Sequence, residues 1–286
     1  MVAEESESPR PRGIIAGYDG SPGSDDALDW AVCEAALRGT PLTVCHAWAH
    51  GDAGVGATTA GADPARQRAE DILASGLRRA RAGGASHEVR PLLVHQPPAQ
   101  ALCAQSDGAD MVVVGSRGRG GLAGLLLGSV GLQVASHAHA PVTVVRGHWR
   151  AVPGQLPAPV VVGSDGSPNS QAALELAIKE AELRAVPLIA ICALSDAAGV
   201  VGMASRVEAD FSHALAKIQA DHPDVLVQAK VEQGAPRSAL LSATARAQLL
   251  VVGSRGRGGL QEMVLGSAAL AVLHLARCPV CVVRHD

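Results

Sequence analysis

The ten residues Val113-Val-Gly-Ser-Arg-Gly-Arg-Gly-Gly-Leu122 recur letter for letter as Val251 to Leu260, an offset of 138. The same offset relates Gly128-Ser129 to Gly266-Ser267, and Pro141 to Pro279. Near the start of each half, Gly17-Tyr-Asp19-Gly-Ser21 answers to Gly163-Ser-Asp165-Gly-Ser167 at an offset of 146. The chain is a duplicated unit. Its second copy is eight residues shorter between these landmarks, and the difference falls at the Gly/Ala-rich stretch Ala49–Asp63 of the first. At roughly 100–200 residues per domain, 286 residues make two domains. They are expected at 13–147 and 159–286, with a tail over 1–12 and a Pro/Gly-rich linker over 148–158.

Composition narrows the class. Hydrophobic residues make up 48% and charged residues 18%, which describes a packed chain. A net charge of −3 sets up no global field for nucleic acid, and 2% aromatics leave few platforms for stacking bases. No nucleic-acid partner is expected. The acidic, Pro-rich start has no apolar segment behind it, and the six cysteines are scattered, so a cytoplasmic location is expected. Residues 120–145 carry no Lys, Arg, Asp or Glu, yet glycines, Gln133, Ser136, His137, His139 and Pro141 interrupt them. The stretch reads as loop, helix and buried strand, with no membrane span.

Each copy alternates short β-rich runs with helical patterns. Strands are expected at Ile14–Tyr18, Leu42–Trp48, Glu88–Val94, Met111–Val114 and Val142–Arg146. Helices follow Asp19-Gly-Ser-Pro22 and cover Arg66–Ala82 and Pro98–Ser106; Gly39 closes the first of them. Pro91 places the third strand at the sheet edge. The second copy repeats the strands at Val160–Val162, Leu188–Leu194, Val225–Val231, Leu249–Val252 and Val280–Arg284. Apolar strands separated by helices imply a parallel sheet covered on both faces. Each copy is therefore read as an α/β, doubly wound, five-stranded Rossmann-like domain of order 3-2-1-4-5. In that order the last strand is an apolar edge that needs covering.

In both copies the fourth strand runs straight into a glycine loop. The spacing is Gly115-x2-Gly118-x9-Gly128-Ser129 in the first and Gly253-x2-Gly256-x9-Gly266-Ser267 in the second. Glycines at a strand's carboxyl end let the backbone turn tightly and aim N–H groups at an anion. A helix beginning at Gly-Ser adds unpaired N–H groups and a positive dipole end. Polyphosphate satisfies all of these donors. The plain alternative is a glycine turn that only closes a βα connection, but twelve matched positions favour phosphate. Gly118-x-Gly120-x-x-Ala123 imitates a dinucleotide fingerprint, but it follows the fourth strand and Gln261 breaks it in the second copy. No Gly-Lys-Ser/Thr P-loop occurs.

Together, the first-strand Asp-Gly-Ser, the G-x2-G-x9-G-S spacing and the closing Pro-Val-x-Val-Val-Arg are specific. The chain resembles a tandem-type universal stress protein across nearly everything outside the tail and linker. The motif belongs to that family's ATP-binding branch, so the resemblance implies ATP in each domain. It implies that Gly17, Asp19, Gly163 and Asp165 flank ribose, base and any Mg²⁺, and that the backbones of Ala47 and Ala193 meet adenine. It places Gly115, Ser116, Arg117, Gly118, Arg119, Gly120, Gly121, Gly128, Ser129 and Val130 of the first copy at the nucleotide, with the glycine loop and Ser129 on its phosphates. In the second copy it places Gly253, Ser254, Arg255, Gly256, Arg257, Gly258, Gly259, Gly266, Ser267 and Ala268 there, with that glycine loop and Ser267 on the phosphates. Ala268 departs from the Val of the first copy, a change that a backbone contact survives. The resemblance also implies that the two copies pair through their edge strands as an internal pseudo-dimer. Pairing of whole chains into a homodimer is open.

Other candidates carry two readings each. Arg117, Arg119, Arg255 and Arg257 either clamp phosphates or are solvated loop charges. Asp19 and Asp165 suit a helix N-cap as well as a ligand. Cys278-Pro-Val-Cys281 has redox or metal spacing, but it opens a strand and the first copy has Thr143 there, which favours structural thiols. His137 and His139 diverge if they lie on a helix. No catalytic residue is assigned. An ATP-binding sensor or regulator with a regulatory protein partner is the expected function. A slow Mg²⁺-dependent ATPase or phosphotransferase and a nucleotide-free dimerising scaffold are the alternatives.

Overall fold

The computed structural model describes residues 13–49, 63–85, 87–119, 127–146, 149, 157–194, 203–257 and 264–285. The first copy runs β1 (Ile14–Gly17), α1 (Pro22–Arg38), β2 (Leu42–Trp48), α2 (Pro64–Ala82), β3 (Val89–His95), α3 (Pro98–Gln105), β4 (Met111–Gly115), α4 (Ser129–His137) and β5 (Val142–Val145). The second runs β6 (Val160–Gly163), α5 (Pro168–Leu183), β7 (Leu188–Leu194), α6 (Met203–Asp221), β8 (Val227–Gln233), α7 (Pro236–Ala243), β9 (Leu249–Gly253), α8 (Ser267–Leu275) and β10 (Val280–Val283). The α/β class and the 3-2-1-4-5 order hold in both copies.

The two sheets are one. The order is β3-β2-β1-β4-β5-β10-β9-β6-β7-β8, parallel throughout each copy, with β5 and β10 meeting antiparallel. Val280 lies opposite Val144, Cys281 opposite Thr143 and Val282 opposite Val142, the arrangement a two-fold relation produces. Each apolar edge is thereby covered by the other. Strand residues alternate between two cores: Ile14 and Ala16 face α1 and α2, while Ile15 faces α3 and α4. Each core continues across the seam, so α1, α2, α5 and α6 cover one face and α3, α4, α7 and α8 the other.

The outer strands differ from expectation in their ends. The strand expected at Val225–Val231 lies at Val227–Gln233, and the one expected at Glu88–Val94 lies at Val89–His95. Their inner neighbours set these limits: β7 pairs with β8 from Leu188↔Val227 to Leu194↔Gln233, and β2 with β3 from Leu42↔Val89 to Trp48↔His95. Edge strands take their length from the partner's ladder, even through polar residues such as Gln228, Lys230 and Glu232. Within the charge-free stretch, α4 and β5 occupy the expected helix and strand, and 120–126 lies outside the described residues. No helix among the described residues is long and apolar enough to cross a membrane.

A buried ionic cluster joins the copies. Glu34 and Arg38 on α1 meet Glu180 on α5 and Arg184 just past its end; both carboxylates are almost fully buried. Arg38 donates to Glu34 (2.7 Å) and to Glu180, and Arg184 donates to Glu180 and Glu34. Arg184 also lies over the Trp30 ring, 5.9 Å from its centroid. Burial, and then the like charge of Glu34, push the Glu180 carboxyl up to about 7 against the pull of Arg184 and Arg38. A carboxyl raised on folding holds more protons in the native state, so its stabilising contribution is lost as pH rises from about 4.5 to about 7. The stability of the chain relative to its Glu180→Gln variant should therefore fall across that window in denaturant melts. A flat difference would mean that the two arginines offset the cost of ionisation completely.

Candidate functional site

In each copy β1 and β4, or β6 and β9, are adjacent parallel strands, so their carboxyl ends open side by side. At the end of β1 the chain turns at Gly20, whose φ of 76° is the left-handed conformation that favours glycine. Ser21 then caps α1, its hydroxyl accepting from the Ser24 N–H at 3.2 Å. Ser167 does the same for α5 through Ser170 N–H at 3.3 Å. The N-cap role left open for Asp19 and Asp165 thus falls to the serines two residues on. The carboxylate stands two residues too early to reach the first turn.

The carboxylates brace the glycine loop. Asp19 Oδ1 accepts from the Ser21 N–H (3.0 Å) and hydroxyl (2.5 Å), and its Oδ2 accepts from the Arg119 N–H (2.8 Å). Asp165 accepts from the Ser167 N–H at 3.0 Å and from the Arg257 N–H at 2.8 Å. Burial opposes the charge on both, but the hydrogen bonds outweigh it and hold both carboxyls below the ordinary range.

The loop glycines are required by close approach. A Cβ on Gly118 would stand 2.6 Å from Asp19 Oδ2, and one on Gly256 would overlap Asp165 in the same way. Neither residue has positive φ, so backbone handedness is not the reason for glycine there. A Cβ on Gly115 would enter the backbone of Gly23 at the start of α1, and one on Gly253 would stand 2.8 Å from the Asn169 carbonyl carbon. Gly17 and Gly163 are pressed by Leu102 and Leu240. Gly128 and Gly266 are the N-caps of α4 and α8 and carry no side-chain cap. Their own N–H groups bond the carbonyls of Ser116 and Ser254 at 2.8 Å, which brings each helix start onto its loop. Gly120, Gly121, Gly258 and Gly259 lie outside the described residues.

In the first copy these parts surround a cavity of about 810 Å³. Its wall includes Gly17, Asp19, Ala47, Gly115, Arg117, Gly118, Arg119, Gly128, Ser129 and Val130 from the expected set; Ser116 contributes its carbonyl to the loop from behind. It also includes residues that sequence reading passed over. Trp48 stacks on His95, with ring centroids 4.2 Å apart, and buried His46 holds its Nδ1 2.7 Å from the Tyr18 carbonyl oxygen. Arg68 and Ile72 of α2 close one side. Trp48 carried a usable signal: it is one of three tryptophans in the chain and sits next to Ala47 at the strand's carboxyl end. In the second copy Ala193 and Leu194 end β7, and Ser267 and Ala268 begin α8.

The arginines do not act alike. The Arg119 side chain has no partner among the described residues, whereas Arg257 pairs with Asp210 at 2.5 Å and donates to the Gly166 carbonyl at 3.1 Å. Arg117 is exposed and Arg255 partly so. Cys278 and Cys281 are buried thiols pushed up to about 12 by burial. His137 and His139 are both exposed, and the His137 ring meets the Gln133 carbonyl of its own helix.

Among known proteins, the profile of the Universal stress protein family matches residues 11–146 and again 158–284. The chain belongs to the universal stress protein family. A universal stress protein of Mycobacterium tuberculosis is 40% identical over 301 residues, covering 98% of this chain and 100% of that one. Another, from Mycolicibacterium smegmatis, is 36% identical over 289 residues, covering 95% and 97%. The crystal structure of a universal stress protein from Archaeoglobus fulgidus superposes with a TM-score of 0.72 at 25% identity, covering 96% of each chain. This universal stress protein therefore shares its tandem α/β architecture and a stress-response role with its relatives.

Proposed function

We propose that this universal stress protein is an ATP-binding stress-response regulator with one nucleotide site in each copy. The observation that carries the reading is the first-copy cavity. Its volume suits a nucleotide, and it lies beyond the carboxyl ends of β1 and β4. A base fits beside Ala47 and Trp48, and a polyphosphate fits over Arg117, Arg119 and the uncapped start of α4. The second copy repeats the carboxylate-braced loop and the uncapped helix start.

Magnesium fits less well as a ligand of the protein itself. The carboxylate oxygens of Asp19 and Asp165 already accept hydrogen bonds from the loop, and among the described residues no group of three or more His, Cys, Asp or Glu side chains is placed to hold a metal ion. The same commitment weighs against Asp19 as the base of a hydrolase. Regulation then follows from the site's construction: nucleotide bound on the loop changes the surface that a protein partner meets. Isothermal titration with ATP on nucleotide-stripped protein should approach two equivalents per chain. No binding would overturn the proposal, and one equivalent would mean that a copy is blocked.

A further inference from the structure

We infer that the two nucleotide sites are unequal, and that Asp210 makes the second the weaker by holding Arg257 away from phosphate. The inference rests on the nucleotide reading above and adds to it a residue that sets affinity. Arg119 and Arg257 start from the same backbone position, because Asp19 and Asp165 accept from their N–H groups at the same 2.8 Å. What differs is the ion pair: Asp25 and Asp71 share a pocket with Arg119 without pairing with it, whereas Asp210 pairs with Arg257. Ile72 on α2 and Asp210 on α6 are related by the repeat offset of 138. They also occupy the same place in space: a Cβ on Gly20 would lie 3.7 Å from Ile72 Cγ2, and a Cβ on Gly166 would lie 2.9 Å from Asp210 Cβ.

In the first copy, the Arg119 guanidinium has no partner among the described residues and lines the cavity. Opposite Asp210, the Arg257 guanidinium is paired at 2.5 Å and folded onto the Gly166 carbonyl. A phosphate at the second loop must therefore displace a carboxylate from Arg257 and then sit near its negative charge. At the first loop it meets an arginine that has no partner among the described residues.

Two further differences point the same way. Asn169, where the first copy has Gly23, accepts from the Ser254 hydroxyl at 3.1 Å, so that loop hydroxyl is also taken up internally. Leu194 and Gln233 replace the stacked Trp48 and His95, which removes an aromatic surface from the base end. An exposed ion pair contributes modestly, and a nearby like charge adds to it. We therefore expect about a tenfold difference in affinity.

The experiment is ATP titration of the stripped full-length chain, with each site read separately in a background carrying Gly118→Ala or Gly256→Ala at the other. The site left in the Gly256→Ala chain should bind about tenfold more tightly than the site left in the Gly118→Ala chain. Adding Asp210→Ile to the latter should recover most of that difference, and Ile72→Asp in the former should lose it. Asp210 is a half-exposed helix residue, so its replacement leaves the core intact. Equal sites, or a second site that binds ATP and ignores Asp210→Ile, would overturn the inference. Failure of both sites to bind ATP at all is a different result, and it removes the nucleotide reading underneath.

Discussion

Alanine at Gly118 should lower ATP affinity at the first site about a hundredfold while the chain keeps its fold. The added Cβ would stand 2.6 Å from Asp19 Oδ2, the atom that accepts from the Arg119 N–H. The carboxylate cannot swing aside cheaply, because its other oxygen is held by the Ser21 N–H and hydroxyl. Something in the brace must break, and a hydrogen bond to a charged group contributes about 1.5–3 kcal/mol. The damage stays local because the first atoms met belong to a side chain at the cavity rim. Gly115→Ala should behave differently. Its Cβ enters the backbone of Gly23, so α1 itself must move and stability falls by about 1–3 kcal/mol. Titration and denaturant melts on both variants separate the two effects. Unchanged ATP affinity in a folded Gly118→Ala chain would show that this glycine serves the connection alone.

The second large effect lies at the seam. Replacing Arg184 with leucine should cost about 3–5 kcal/mol, because it leaves Glu34 and Glu180 buried together with one arginine between them. Removing the whole cluster should cost far less. With Glu34→Leu, Arg38→Met, Glu180→Leu and Arg184→Met together, no charge is left to be desolvated and the volume is kept, so stability should be near that of the parent or above it. A cycle of denaturant midpoints measures both. If the single variant were nearly neutral, the cluster would be wetter and weaker than its burial indicates. If the quadruple variant unfolded the chain, the cluster would be needed to set how the copies meet, which the antiparallel β5–β10 ladder would then not achieve unaided.

Much of the site was legible in the order of residues. The glycine spacing placed a loop at the carboxyl end of the fourth strand, and Asp19 and Asp165 were marked out by the turn they open. What they do there was not legible. Asp19 bonds Arg119 across 100 residues of chain, so the choice between helix cap and loop brace depended on which strands become neighbours. The need for glycine at 118 and 256 was visible, but its cause is the approach of a carboxylate and not a left-handed backbone. Glu34-x3-Arg38 and Glu180-x3-Arg184 match at the offset of 146, but such pairs usually lie on a solvated helix face, so nothing in their spacing marks a buried cluster.

The sequence by itself determined the repeating unit, its strand and helix periodicities, and the five-stranded doubly wound order. These follow from apolar patterns and turn residues that act over a few positions. Only the tertiary structure decided that the matching helix faces meet across the seam, burying an ionic cluster. It also decided that Asp210 pairs with the loop arginine of the second copy. Both facts are contacts between segments from about 50 to 150 residues apart, as between Asp210 and Arg257 or between Glu34 and Arg184. Periodicity says which face of an element is apolar; the packing of two faces decides which charges come together and lose their water.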